Sequence, residues 1–65
     1  MKVPTKAELT QVVEAAKRVI RGSTAEAAAT HCAGQRAWME AHWHPGVARQ
    51  ATQLMREAYR ARFRK

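Results

Sequence analysis

Arginine recurs along the last third of the chain at intervals of seven, four and four residues. The series is Arg49, Arg56, Arg60 and Arg64, and on an α-helix this spacing keeps all four side chains on one side. At about 1.5 Å of rise per residue the series spans roughly 22 Å. Guanidinium groups donate paired hydrogen bonds that match phosphate oxygens. The spacing therefore predicts a polyanion-binding surface, which we call the arginine ladder.

Further polar side chains extend this candidate site. Residues 47–65 carry six basic groups against Glu57 alone, for a net charge of +5, whereas residues 1–22 carry +3 and residues 23–46 carry −1. A solvated face with a basic tail that favours the helix dipole is the alternative, but such faces usually mix the two signs. The predicted nucleic-acid-binding set is Arg49, Gln53, Arg56, Arg60, Arg62, Arg64 and Lys65.

Three histidines and a single cysteine raise the question of metal or thiol chemistry. His31 and His42 are eleven residues apart, which a continuous helix separates by about 16 Å, whereas structural zinc needs four close ligands. Cys32 lies in an alanine-rich stretch, and a reactive thiolate needs an accessible, electropositive setting. The sequence contains no close carboxylate pair, phosphate-binding glycine loop or serine-centred triad. We therefore expect no metal, no cofactor and no catalytic residue, and predict that the protein is not an enzyme.

The two tryptophans are candidate partner-binding residues. On one continuous helix, Trp38 and Trp43 would point about 140° apart, so both cannot enter one small core. We expect one in the core and the other at a protein contact, because exposed tryptophan is a common interface anchor. Burial of both in a dimer is the alternative.

Capping patterns and apolar spacing place these residues on helices. Thr5-Lys6-Ala7-Glu8 matches a capping box, and an apolar stripe follows it, so the first helix is predicted over about 5–21, with Gly22 in a left-handed cap. A second capping box, Ser23-Thr24-Ala25-Glu26, predicts an alanine-rich helix over about 24–43. His44-Pro45-Gly46 ends that helix, and the amphipathic segment 46–63 predicts the third.

The middle helix leaves one alternative open. Continued without a break, it places Arg36 among apolar residues such as Cys32 and Met39, and Gly34 costs about 1 kcal/mol relative to alanine in a helix. A break at Gly34 would give a four-helix variant. A helix-turn-helix that reads DNA fits neither register tested, since a turn at Gly34 buries polar residues and a turn at Cys32 places His31 in the core.

Size sets the remaining expectations. Sixty-five residues form one domain near the lower limit for folding on a single core, so residues 1–65 are predicted to be an all-α three-helix bundle. One cysteine excludes a disulfide within the chain, which makes a homodimer the expected source of extra stability and favours a reducing compartment. The sequence has no signal-peptide pattern and no apolar run long enough to span a bilayer. We therefore expect a cytoplasmic protein without membrane contact.

These observations favour a small basic nucleic-acid-binding regulatory or accessory protein that contacts phosphates through its last helix. The alternative is a small modulator or inhibitor that docks on an acidic surface of a larger protein. A membrane-surface binder is less favoured, because the apolar faces of the helices are needed for the core.

Overall fold

The computed structural model describes residues 1–64, which form three α-helices packed against one another. Helix α1 covers Lys6–Gly22, α2 covers Ala25–His42 and α3 covers Pro45–Phe63, and each helix contacts both of the others. The predicted all-α three-helix bundle is confirmed. Among residues 1–64, no helix is both long enough and apolar enough to cross a membrane.

Helix α1 begins with the predicted capping box. The Thr5 hydroxyl accepts from the Glu8 backbone N–H at 3.1 Å, and the Glu8 carboxylate accepts from the Thr5 N–H at 2.9 Å. Lys2 also donates to that carboxylate. These bonds from Lys2 and Thr5 lower the pKa of Glu8, because they stabilise its charged form. The far end of α1 differs from prediction, since Gly22 has no positive φ and remains within the helix.

The start of α2 also differs from prediction by one residue. Thr24, not Ser23, is the N-cap, and its hydroxyl accepts from the Ala27 N–H at 3.2 Å. Ser23 instead caps the C-terminus of α1 in an extended conformation. Because α1 continues through Gly22, only Ser23 and Thr24 remain to join the two helices. Thr24, the second of these residues, therefore lies directly before α2 and caps it.

The alternative of a break at Gly34 is wrong, because α2 is continuous from Ala25 to His42. Its buried residues are Ala28 and Met39, with Cys32 half-buried beside them. Arg36 lies about 60° around the helix from Met39, outside this narrow stripe, and its side chain is exposed. The clash that suggested a break is therefore absent, and the polar residue lies at the edge of the packed face.

Trp43 is the tryptophan that belongs to the core, as expected of one of the two, so it is not the partner-binding residue and Trp38 remains the candidate. Trp43 caps the C-terminus of α2 outside the helix proper, where helical rotation no longer sets its direction, and it is 2% exposed. The N-terminal segment pairs with the backbone on both sides of it. The Lys2 N–H donates to the His42 carbonyl at 3.1 Å, and the His44 N–H donates to the Lys2 carbonyl at 2.7 Å.

Burial of Trp43 within one chain removes part of the reason for expecting a dimer. Tyr59 is also half-buried within the bundle, and its hydroxyl donates to the Ala25 carbonyl at 3.2 Å. Trp38 is the tryptophan left at the surface, 46% exposed. Self-association stays a prediction, but fewer aromatic side chains remain for a dimer interface to bury.

Candidate nucleic-acid interface

Helix α3 holds the arginine ladder away from the core. The helix begins at Pro45, and the His44 imidazole caps it by accepting from the Gly46 N–H at 3.1 Å. Proline suits the first helical turn because its missing N–H would lack an intrahelical partner there. Ala48, Ala51 and Met55 are 0–1% exposed and fix the opposite face of α3 against the other helices. Packing on that face therefore sets the outward direction of the ladder.

The arginine ladder and Gln53 are all exposed. Within residues 1–64, the ion pairs join Lys2 to Glu8, Lys17 to Glu14 and Arg36 to Glu40. No ladder arginine of this described part takes part in one. Three of the four arginines, Arg49, Arg56 and Arg60, share one face of α3, and Arg64 is the extended C-cap residue just beyond the helix. All four guanidinium groups are therefore free of ion-pair partners, and their field points into solvent, where an anionic ligand can reach it.

Of the other two predicted members, Arg62 does not join this face. Arg62 lies about 160° around α3 from Arg60, and its guanidinium is 5.3 Å from the ring centroid of Phe63. Its charge is exposed but belongs to a different side of the helix. Lys65 lies outside the described residues.

The structure adds a cation that sequence reasoning did not assign to the site, Arg36 of α2. A shallow concavity between α2 and α3 is lined by Arg36 and Glu40 from one helix and by Arg49, Thr52 and Arg56 from the other, with Pro45 at its end. Arg36 pairs loosely with Glu40 at 3.6 Å, with both side chains more than half exposed. The sequence signal for this cation is an arginine in a helix that otherwise carries mostly small side chains, a pattern that also fits a helix break.

An apolar recess continues from this concavity, with a volume of about 220 Å³. Arg36 and Arg56 stand on its α2 and α3 walls. The remaining lining residues are small or apolar side chains together with one threonine and one tyrosine: Ala29, Cys32, Ala33, Thr52, Met55 and Tyr59. Burial raises the pKa of the Cys32 thiol, which disfavours the thiolate form. We call this site the α2–α3 recess.

The two tryptophans and the three histidines line neither the concavity nor the recess. The Trp38 ring stacks on the His42 ring with centroids 4.7 Å apart, and it meets Trp43 edge-on at 5.7 Å. His42 Nδ1 is 2.8 Å from the Trp38 carbonyl. In the described part of the chain, no three histidine, cysteine, aspartate or glutamate side chains group closely enough to hold a metal ion.

The site therefore combines an extended cationic face with one apolar recess at its side. Such a surface offers charge-assisted hydrogen bonds to anions and a contact for one uncharged group. Comparison with protein-family models, curated proteins and solved structures gives no match for this chain.

Proposed function

We propose that the protein binds nucleic acid through contacts between its arginine ladder and successive phosphates, with Arg36 contributing from α2. The observation that carries this proposal is the exposure of four ladder arginines without carboxylate partners in the described chain. Arginine side chains held in this way bind phosphate with little competition from the protein itself. Phosphate contacts of this kind provide affinity and position without base recognition.

The rigidity of α3 supports the same function. Its buried face packs through Ala48, Ala51 and Met55, so the backbone that carries the arginines is fixed before a ligand arrives. Binding then orders mainly the arginine side chains, which keeps the entropic cost low. A regulatory or accessory role fits this proposal, since it requires binding and no chemistry.

A second candidate function is favoured by Trp38. This residue is 46% exposed and is braced by His42, as expected of an aromatic anchor for a protein partner. The partner would be an acidic protein surface, given the net charge of +7. Trp38→Ala should weaken binding to such a partner and leave nucleic-acid binding unchanged, because the tryptophan does not line the cationic concavity.

Paired charge-removing variants test the nucleic-acid proposal. The double variant Arg56→Gln/Arg60→Gln removes two ladder cations, and Arg18→Gln/Arg21→Gln removes two exposed cations from α1. By fluorescence anisotropy in about 50 mM salt, we expect the ladder variant to bind labelled DNA or RNA roughly ten-fold more weakly or worse, since it loses two charged hydrogen bonds.

The α1 variant is the matched control, because its net charge is the same. It should lose much less affinity, through long-range electrostatics alone. Equal losses in both variants would mean that binding follows net charge without a defined site. No binding to DNA or RNA by the unmodified protein at this salt concentration would contradict the proposal.

A further inference from the structure

The α2–α3 recess has no role in a purely phosphate-binding surface, because phosphate contacts need cations and not an apolar pocket. We propose that it receives one unstacked base of a single-stranded nucleic acid whose phosphates lie on Arg36, Arg49 and Arg56. This inference rests on the proposed function and specifies its ligand. Single strands, unlike duplexes, can turn a base out of the stack at small cost.

The position of the recess argues for this occupant. Arg36, Thr52 and Arg56 line both the recess and the charged concavity, so the apolar pocket and the anion site share three side chains, two of them cationic. A nucleotide has the same construction, with a flat base joined to an anionic phosphate. Its base would lie in the recess while its phosphate meets the guanidinium groups.

The lining of the recess suits a base held by its faces. Methyl groups of Ala29 and Ala33 and the Tyr59 ring offer dispersion and aromatic contact above the buried Met55 side chain. The Thr52 hydroxyl already donates to the Ala48 carbonyl at 2.8 Å, and the Arg36 and Arg56 guanidinium groups in the lining are occupied by the phosphate, so few donors remain for reading a particular base. The recess is open to solvent on one side, which lets the polar edge of a base remain in water. Binding should therefore tolerate any base.

An acidic amphipathic peptide is the principal rival occupant. A helix lying in a groove needs an apolar floor for anchors along several turns. Here the Tyr59–Ala25 hydrogen bond joins the helices at one end, and beyond Arg36 the groove becomes charged, with Glu40 in its wall. The apolar part of the groove is therefore long enough for one apolar group and too short for a helix with several anchors. As an occupant of this recess, a second copy of the chain is also disfavoured, because Arg36 and Arg56 line the recess and each copy carries a net charge of +7.

Matched oligonucleotides separate base binding from phosphate binding. The probes are a single-stranded oligothymidylate of about twelve nucleotides and an abasic oligomer with the same number of phosphates. We expect the oligothymidylate to bind at least about five-fold more tightly, the lower limit for one stacked base. Ala33→Leu, which fills the recess, should remove this difference and leave affinity for the abasic oligomer unchanged. Ala37→Leu, on an exposed part of α2 outside the recess, should preserve it.

A second measurement uses the unmodified protein. Cys32 lines the recess, so oligothymidylate should slow its alkylation at alkaline pH several-fold more than the abasic oligomer does at equal occupancy. Because it needs no variant, this measurement still tests the proposal if circular dichroism shows that Ala33→Leu does not fold.

The outcomes distinguish this inference from the proposed function. If both oligomers bind equally and protect Cys32 equally, the base contact is refuted while phosphate binding stands. If neither binds, the proposed function fails as well. Two further results would overturn the inference by giving the recess another occupant: an Ala33→Leu-sensitive complex with a glutamate- and leucine-rich helical peptide, or an Ala33→Leu-sensitive dimer in sedimentation.

Discussion

At the scale of single residues, two neighbouring hydroxyl groups show the limit of local sequence patterns. Ser23 and Thr24 both precede α2, and a glutamate three residues after Ser23 completes a capping-box sequence. The structure nevertheless caps α2 with Thr24. Thr24 has an extended backbone conformation, as N-cap residues normally do, so helical structure begins only at Ala25. The four-residue pattern fits either hydroxyl residue as the cap and does not show where the helical backbone begins.

Thr24 should therefore contribute to stability where Ser23 does not. Thr24→Ala leaves the Ala27 N–H without its side-chain acceptor and should lower the free energy of unfolding by about 0.5–2 kcal/mol. The Ser23 hydroxyl accepts from no N–H of α2 in this arrangement, so Ser23→Ala should stay within about 0.5 kcal/mol of the parent. Urea denaturation measures both, and a larger loss for Ser23→Ala would contradict the assigned cap.

Glu8 makes the stability of α1 depend on pH. Bonds from Lys2 and Thr5 lower its pKa in the folded protein, so its contribution is complete above the unfolded pKa of about 4.3. It is lost as the pH falls through the lower, folded pKa. The stability difference between the parent and Glu8→Gln should therefore be largest at neutral pH and shrink below about pH 4. If urea denaturation shows the same stability difference between the two proteins down to about pH 3, the ionised Glu8 carboxylate does not stabilise the folded protein.

At the scale of elements, the three helices differ in how readily sequence predicts them. Helices α1 and α3 show clear apolar stripes, exemplified by Val13 and Ile20 in one and Ala51 and Met55 in the other, and these residues are buried. The alanines of α2 lie on all sides of the helix, so its sequence does not indicate which side is packed. The methyl groups of Ala29, Ala33 and Ala37 are exposed although their residue type suits a core.

Continuity of α2 through Gly34 gives a direct test of that element. Gly34 lies in the helix interior, is exposed and has open space where a Cβ would stand. Gly34→Ala should therefore raise the free energy of unfolding by about 1 kcal/mol, because alanine loses less backbone entropy in a helix. Thermal denaturation followed by circular dichroism measures the change. A neutral or destabilising effect would favour a break at Gly34.

At the scale of the whole molecule, sequence could predict the arginine ladder because one helix carries it. The contribution of Arg36 could not be predicted in the same way, since it depends on how α2 lies against α3. The recess between these helices likewise joins residues such as Ala33 and Met55 that are far apart in sequence. The buried position of Trp43 depends on pairing with the N-terminal segment around Lys2, which no helical pattern encodes.

Salt dependence of nucleic-acid binding tests the central claim most directly. Each phosphate contact contributes about −0.9 to the slope of log affinity against log salt on duplex DNA, or about −0.7 on a single strand. A four-arginine ladder therefore predicts a steep slope, and Arg56→Gln/Arg60→Gln should reduce it by the equivalent of about two contacts. Arg18→Gln/Arg21→Gln should leave the slope nearly unchanged. A flat slope for the parent protein, or the same slope in the ladder variant, would contradict phosphate binding by the arginine ladder.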